Sequence, residues 1–352
     1  MLPCPHDASA PARDRDPFLD NARGILIALV VVGHTLECFD VIGDVLGGTL
    51  YKAIYSFHMA AFVIISGYLS RSYRNEPRQV KRLLTAMLVP YVIFQMVHEA
   101  GKALLLGQEF ALQLVVPAWT LWFLFALMVW RLLTPVLRQL RHPLVFAVAI
   151  SVIAPLDPDL DSTLSIGRLL GMLPFFVLGL VCTPEVLEQV RSFRPRWPGA
   201  LVLLAAVVCA FLLREQVSNS YFYLREAYDE EASVLFSVAV RLGALVVGVV
   251  GTLALLLVTP RAQSVLTTVG SRSLTIYLLH TVLLLPIRYA ESLPGWVETG
   301  WGTLALVGVG LLLTAVLATG IVGRLTRWLI DPPIGRWLTR PAPEESAPPM
   351  TR

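Results

Sequence analysis

The sequence predicts an all-α protein that crosses a membrane about ten times, with the N-terminus and the C-terminus in the cytoplasm. Composition is the first indication of this class. Of the 352 residues, 56% are hydrophobic and only 15% are charged, whereas a soluble domain typically carries about 25% charged residues. The mean hydropathy is +0.68. The apolar residues also form long runs between short polar connectors, which is typical of a polytopic helical membrane protein.

The apolar runs give the order of the predicted elements. A helix needs about 20 apolar residues to cross a bilayer upright, and two of the runs are shorter than this. The predicted spans are 23–41, 50–70, 83–105, 115–137, 143–155, 164–183, 199–213, 233–258, 271–290 and 301–323. Residues 1–20 are expected to form a disordered cytoplasmic tail, 21–323 a transmembrane domain, and 324–352 a basic cytoplasmic tail. Neither a cleavable signal nor a further domain after the last span is expected.

The charges of the connectors support an even number of spans. One set of connectors is acidic: it contains Asp40, Asp44 and Glu109, and the segments 156–162, 214–231 and 291–300. The alternate set is basic: it contains 71–82, 138–142, 191–196, Arg261 and 324–340. Because Lys and Arg favour cytoplasmic loops, the basic set is predicted to be cytoplasmic. The net charge of +3 then reflects topology and does not indicate nucleic-acid binding.

The sequence predicts no site for a bound cofactor or for a metal. The sequence has no GxGxxG strand–helix unit, Walker loop, CxxC pair or HExxH motif, so no permanently bound cofactor and no metal is expected. The four cysteines show no paired spacing and are interpreted as small buried apolar residues.

Arg23 and His34 in the first span, "RGILIALVVVGH", are the most informative polar residues. They are eleven residues apart, which is about three helical turns, so both side chains lie on one helix face and are separated by roughly 16 Å along the axis. Glu37 follows His34 at i+3, within its reach. Such a face could hold an anionic ligand with a long arm at Arg23 and react at His34. Alternatively, Arg23 is only a basic residue at the cytoplasmic end of the span, and His34 only makes a hydrogen bond to another helix.

Four segments in order resemble one family. They are "FLDNARGILIALVVVGHTLE" (18–37), "IYSFHMAAFVIISGYLS" (54–70), "AWTLWFLFAL" (118–127) and "SLTIYLLHTVLLLP" (273–286). Together they are similar to motifs of the membrane-bound acyltransferase family 3, and most of all to its fucose 4-O-acetylase-like branch. The resemblance reaches from Phe18 to the "DPPIGRWL" segment at 331–338.

The resemblance implies transfer of an acyl group, usually acetyl, from acyl-CoA to a hydroxyl of a sugar or surface polysaccharide, or of a small molecule. His34 matches the essential histidine of the family, and Arg23 matches the basic residue of the same motif. Arg71 and Arg74 resemble an arginine pair that is linked to acyl-CoA binding. The sequence departs from the usual second-span motif at Ala60 and Ala61, so the acceptor stays open.

The chemistry of the residues agrees with this activity. A thioester is already activated, so its transfer needs a base, stabilisation of an oxyanion, and protection from water. His34 can act as a general base near neutral pH, and Glu37 can orient it and stabilise its imidazolium form. Direct attack by the acceptor hydroxyl is favoured, and transient acylation of His34 stays open.

Further residues are predicted to bind the acceptor. His58 and His280 could orient it or make interhelical hydrogen bonds. Trp119 and Trp122 could stack on a carbohydrate or belong to an interfacial aromatic belt. The expected partners are therefore acyl-CoA, a hydroxyl acceptor and the lipid bilayer of the cytoplasmic membrane. The alternative function is a polytopic transporter or export component for an envelope glycan or small molecule, which would have no need for acyl-CoA.

Overall fold

The structure is a computed structural model that describes residues 16–158, 160, 165–229, 231–290 and 294–332. The described residues form helices and no strands. The helices are α1 (Pro17–Cys38), α2 (Val45–Tyr55), α3 (His58–Leu69), α4 (Pro77–Leu83), α5 (Val89–Leu106), α6 (Trp122–Leu137), α7 (Pro143–Ile153), α8 (Ile166–Gly171), α9 (Leu173–Val181), α10 (Pro184–Ser192), α11 (Trp197–Leu212), α12 (Ser220–Tyr223), α13 (Val234–Val258), α14 (Val265–Ser271), α15 (Ser273–Arg288), α16 (Gly300–Leu317), α17 (Gly320–Leu325) and α18 (Arg327–Ile330).

Several of these helices are suited to a membrane, which confirms the all-helical, multi-pass class. Within the described ranges, five are long and apolar enough to cross it: Pro17–Cys38, Val45–Leu69, Pro77–Leu106, Val234–Val258 and Gly300–Leu317. Two bent pairs raise the number to seven if each pair is one span, namely Ile166–Val181 with Pro184–Ser192 (89°) and Val265–Ser271 with Ser273–Arg288 (74°). The count of ten spans and the cytoplasmic placement of both termini stay predictions.

Some boundaries differ from those predicted. Helix α1 begins at Pro17, inside the predicted tail, where Asp16 accepts a hydrogen bond from the backbone N of Phe18 as an N-cap. The predicted span 115–137 is helical only from Trp122 onward. The C-terminal tail, predicted from 324, contains α18 and the end of α17. Residues 1–15 and 333–352 of the two predicted tails lie outside the described residues.

Helix α1 lies at the centre of the fold and packs against α14, α15 and α16. Two glycines allow the approach of α14. A Cβ on Gly270 would lie 1.8 Å from the carbonyl O of Asp20, and a Cβ on Gly24 would lie 2.3 Å from the carbonyl O of Leu266. Because neither position has room for a side chain, this close packing fixes the height of α1 relative to α14.

The first turn of α1 is also tied to the connector after α13. Asn21 is fully buried, and its Nδ2 donates to the carbonyl oxygens of Pro260 (2.9 Å) and Ala262 (2.8 Å). Its Oδ1 accepts from the hydroxyls of Ser264 (2.8 Å) and Thr267 (2.7 Å). A buried amide with all of these partners holds α1 in one position.

Candidate active site

One cavity has a volume of about 580 Å³ and reaches the basic connector 71–82. Arginine side chains line it near this connector: Arg23, Arg82 and Arg131. Apolar side chains such as Ile27 and Leu127 line its middle part, and His34 lines it as well. We call this space the basic cavity. Its lining residues within the described chain include no Asp or Glu, so the cavity suits an anion with an apolar or extended arm.

The second cavity has a volume of about 780 Å³ and reaches the acidic connectors through Pro158, Leu160 and Glu226. Its lining is rich in hydroxyls, imidazoles and charges: Tyr51, Tyr55, Tyr223, His34, His58, Glu37, Arg168, Arg225 and Arg288. We call it the polar cavity. Because hydrogen-bonding side chains surround it, the cavity suits a polar molecule such as one with several hydroxyls.

The two cavities meet at four residues. His34, Met59, Thr120 and Trp122 line both of them, and we call these four residues the junction. His34 thus borders a space that extends to the predicted cytoplasmic connector and a space that extends to the opposite connectors. Both Arg23 and His34 line the basic cavity, as their common helix face predicts.

His34 is oriented by a carboxylate. Its Nδ1 lies 2.8 Å from Oε2 of Glu37, and because a carboxylate only accepts, the hydrogen lies on Nδ1 and the lone pair of the neutral ring on Nε2. The other oxygen of Glu37, Oε1, accepts from Nη1 of Arg288 at 2.9 Å. The Tyr55 hydroxyl lies 3.3 Å from Nδ1. The contact between His34 and Glu37 is the one that the i+3 spacing predicts.

Trp119 packs against this group from a segment that is not helical. Its ring meets that of His34 edge-on with 5.0 Å between centroids, and the Arg288 guanidinium lies 4.5 Å from its centroid. The backbone of Trp119 has φ 40°, a left-handed conformation that is strained for a bulky residue. Trp119 lines the polar cavity and so belongs to the site. Its stacking on a carbohydrate and its place in an interfacial belt both stay predictions.

Trp122 is a junction residue, and the guanidinium of Arg168 lies 5.0 Å from its ring centroid. One face of each tryptophan therefore meets an arginine, which restricts the ring faces that a sugar could use.

Arg241 is a further charged residue within a predicted span, 233–258, and the sequence alone indicates no partner for it. The structure provides two, because Arg241 donates to Ser151 Oγ (3.4 Å) and to the carbonyl O of Leu224 (3.0 Å).

His58 and His280 are both buried and make the same backbone contact. Nδ1 of His58 donates to the carbonyl O of Ile54 (2.8 Å), and Nδ1 of His280 donates to that of Ile276 (2.9 Å). His58 lines the polar cavity. His280 lines neither cavity and instead stacks on His34, with 5.6 Å between ring centroids. No contact in this geometry therefore supports its predicted role in binding the acceptor molecule.

The predicted donor-binding residues divide into two groups. Arg23 lines the basic cavity, where Nη1 contacts Asp20 (3.1 Å) and Nη2 donates to Ser273 Oγ (2.6 Å). Arg71 and Arg74 line neither cavity; Arg71 donates instead to the carbonyl O of Cys182 (3.1 Å). Their roles in donor binding stay predictions, and this geometry does not place the two side chains at either cavity.

Sequence reasoning missed several residues of the site. Arg131 stands inside the predicted span 115–137, and a charge within an apolar span is a signal that could have identified it. Arg82 lies in a connector where topology alone explains a basic residue. Arg288 carries the same signal as Arg131 inside the predicted span 271–290, whereas nothing in the sequence indicates that Tyr55 contacts His34. In the described part of the chain, no three His, Cys, Asp or Glu side chains are grouped to hold a metal ion.

The fold and the site define a multi-pass helical membrane protein with a histidine–carboxylate pair at the meeting point of two cavities. The family described as "Acyltransferase domain" matches residues 16–322, and the chain belongs to this family. The resemblance noted above is thereby confirmed at the level of the family. Placement in the fucose 4-O-acetylase-like branch stays a prediction.

Two curated relatives are similar to this chain. The Nodulation protein NolL of Mesorhizobium japonicum is 31% identical over 247 residues, which are 64% of this chain and 64% of that protein. The Nodulation protein NolL of Sinorhizobium fredii is 29% identical over 220 residues, 58% of this chain and 59% of that protein. The match thus covers less than two thirds of the length of either relative. No solved structure matches this chain.

Proposed function

We propose that the protein is a membrane O-acyltransferase that moves an acyl group, acetyl in the simplest case, from acyl-CoA to a hydroxyl of a carbohydrate or of a small molecule. The donor occupies the basic cavity from the cytoplasmic side of the cell membrane, and the acceptor occupies the polar cavity from the other side. The observation that carries the proposal is that one histidine lines both cavities and holds its Nδ1 against a carboxylate.

The basic cavity supports the donor half of the proposal. The phosphates of CoA pair with Arg23, Arg82 and Arg131 by charge-assisted hydrogen bonds. The pantetheine arm extends past the apolar wall, and the thioester reaches His34. Arg23 and His34 are separated by roughly 16 Å along α1, a distance that an extended arm covers.

The polar cavity supports the acceptor half. Because Nδ1 of His58 donates to a backbone carbonyl, its Nε2 carries a lone pair that accepts a hydrogen bond from an acceptor hydroxyl. Tyr51, Tyr55 and Tyr223 add hydroxyls to the same lining. Trp119 and Trp122 contribute apolar surface beside the junction. Together these groups fix a hydroxyl of the acceptor next to His34.

In the proposed reaction the donor and the acceptor are bound at the same time, in one ternary complex with the protein. Nε2 of His34 takes the proton of the acceptor hydroxyl, and the hydroxyl oxygen attacks the thioester carbon. Glu37 keeps the ring in the tautomer with the lone pair on Nε2 and stabilises the imidazolium, while Arg288 holds Glu37. The departing CoA thiolate takes the proton back from His34.

The test is removal of the base. His34→Ala is expected to lower acetyl transfer from labelled acetyl-CoA 10²–10⁴-fold, measured on membranes with matched expression, while acetyl-CoA still binds. His142→Ala is the matched control, since His142 is an exposed histidine of a connector. If His34→Ala retained near-normal transfer, the assignment would be wrong, and the transporter alternative would gain support.

A further inference from the structure

Thr120 is a junction residue, and the reaction described above gives its hydroxyl no role. The residue is 5% exposed, and within the described residues its Oγ1 has no hydrogen-bond partner. Leaving a buried hydroxyl unpaired costs about 1–3 kcal/mol, and buried polar groups are therefore almost always paired. An unpaired hydroxyl beside the base of a group-transfer site is expected to find its partner in the substrate.

Other buried threonines of the chain show how such a hydroxyl is normally paired. Thr35, Thr252 and Thr314 each donate to the carbonyl O four residues earlier in their helix. Thr120 has no such option, because α6 begins only at Trp122. The hydroxyl of Thr120 is therefore not paired within a helix, and unlike the hydroxyl of Thr303 in α16, which is also unpaired among the described residues, it belongs to a residue that lines both cavities.

The backbone around Thr120 is held in place from both sides. Its carbonyl O accepts a hydrogen bond from the hydroxyl of Tyr277, a buried residue of α15. The preceding residue, Trp119, packs edge-on against His34, and the next residue, Leu121, is fully buried. A donor on a fixed backbone needs little reorganisation when charge develops near it, which is the property of an oxyanion hole.

We propose that the Thr120 hydroxyl donates a hydrogen bond to the carbonyl oxygen of the donor thioester, and so stabilises the oxyanion of the transition state. The inference rests on the proposed function. Rotation of χ1 to another staggered rotamer moves the hydroxyl of a threonine to the position that another substituent of Cβ held before. The hydroxyl can therefore reach a ligand at the junction without any change of the backbone.

The acyl group is transferred by addition to the thioester carbonyl and loss of the CoA thiolate. The acceptor oxygen forms a bond to the thioester carbon and loses its proton to Nε2 of His34. The carbonyl π electrons move to oxygen, where Thr120 donates its hydrogen bond. The electrons then return, the carbon–sulfur bond breaks, and the CoA thiolate takes the proton from His34. The products are the acyl ester and CoA, and Thr120 is unchanged.

Three variants test the inference. Thr120→Val keeps the shape and removes the hydroxyl, Thr120→Ser keeps the hydroxyl, and Thr303→Val is the control. Thr303 of α16 is also buried with an unpaired hydroxyl within the described residues, and it lines neither cavity. The purified full chain in phospholipid vesicles is given acetyl-CoA with saturating methyl α-fucoside or with water alone. Release of the CoA thiol is measured.

We expect Thr120→Val to lower the His34-dependent kcat about 10²–10³-fold, with a KM for acetyl-CoA close to that of the unchanged protein. Thr120→Ser is expected to restore most of the rate, and Thr303→Val to leave it unaltered. A normal kcat in Thr120→Val, or an equal loss in Thr120→Ser, would overturn the role of Thr120 alone. Thiol release that does not depend on His34 would instead contradict the proposed function on which the inference rests.

Discussion

At the scale of single residues, the site is a closed ring of contacts that begins and ends at His34. His34 contacts Glu37, Glu37 accepts from Arg288, and Arg288 lies over the ring of Trp119, which itself packs on His34. Because the contacts close on themselves, each member restricts the others. The orientation of the imidazole is therefore set by groups from three parts of the chain.

Glu37→Gln is expected to lower kcat and to leave the KM for acetyl-CoA nearly unchanged. The amide lacks the charge that stabilises the imidazolium, whereas Glu37 does not line the basic cavity. The loss should be smaller than that of His34→Ala, since the base is still present. Initial rates over a range of acetyl-CoA concentrations check this. A large rise in KM at unchanged kcat would argue against an orienting role.

Arg82→Gln is expected to weaken acetyl-CoA binding about tenfold or more. Hydrogen bonds to charged groups contribute about 1.5–3 kcal/mol, and about 1.4 kcal/mol corresponds to tenfold in affinity. Arg82 is exposed and lines the basic cavity, so its loss should not disturb packing. The measurement is equilibrium binding of labelled acetyl-CoA, and Arg141→Gln, at an exposed connector position, is the control. Unaltered affinity in Arg82→Gln would remove this residue from the donor site.

Arg71→Ala and Arg74→Ala test the part of the donor site that rests on the family resemblance. If these residues bind CoA phosphates, the apparent donor affinity falls while turnover at saturating donor changes less. The structure points to the opposite result, because neither side chain lines the basic cavity. The same binding measurement decides between the two, with Arg82→Gln as the reference.

At the scale of elements, the segment 113–121 explains which part of the site the sequence could predict. The helix periodicity of α1 is sufficient to align Arg23 with His34, because both lie on one regular helix. The apolar run 115–137 also predicts a helix, but the side chain of Gln95 forms hydrogen bonds with backbone groups at and just before the start of this run. Fully buried, Gln95 donates to the carbonyl oxygens of Gln113 (2.7 Å) and Val116 (3.0 Å) and accepts from the N of Ala118 (2.8 Å).

These three bonds hold the segment out of the helix, so that Trp119 lines the polar cavity and Thr120 lies at the junction. A composition-based span does not register such long-range pairing, because the partner lies 18 or more residues away in the sequence. The contact of Arg288 with Glu37 was missed for the same reason, since it joins residues 251 positions apart. Local periodicity thus predicts the alignment of Arg23 with His34 along α1, but not the contacts between distant parts of the chain.

Gly270→Ala is expected to destabilise the contact of α14 with α1. The new Cβ would lie 1.8 Å from the carbonyl O of Asp20, and overpacking of this kind typically costs about 1–3 kcal/mol. Thermal unfolding in detergent measures the loss. Gly308→Ala in α16 is the control, because a Cβ there meets nothing within 4 Å. Equal melting temperatures in the two variants would contradict the close packing of the helices.

At the scale of the whole molecule, the charge pattern of the connectors predicts an orientation in the membrane that would open the two cavities to opposite sides. The basic cavity reaches the connector 71–82, and the polar cavity reaches the acidic connectors. Single cysteines in a cysteine-free background test it. Gln108→Cys and Asp229→Cys should react with an impermeant thiol reagent from outside intact cells, and Arg78→Cys and Arg194→Cys only after lysis. Reaction of all four from one side would contradict the predicted topology.

The junction has an electrical consequence. In the predicted topology the two cavities enter from opposite faces of the membrane. Filled with water, they would concentrate the transmembrane voltage on the layer formed by the junction residues His34, Met59, Thr120 and Trp122. Moving one elementary charge across 100 mV is worth about 2.3 kcal/mol. In the proposed reaction the acyl group crosses this layer outward as a formal cation, and the hydroxyl proton crosses it inward to CoA. The two charges cancel, so transfer should proceed equally fast in polarised and depolarised vesicles.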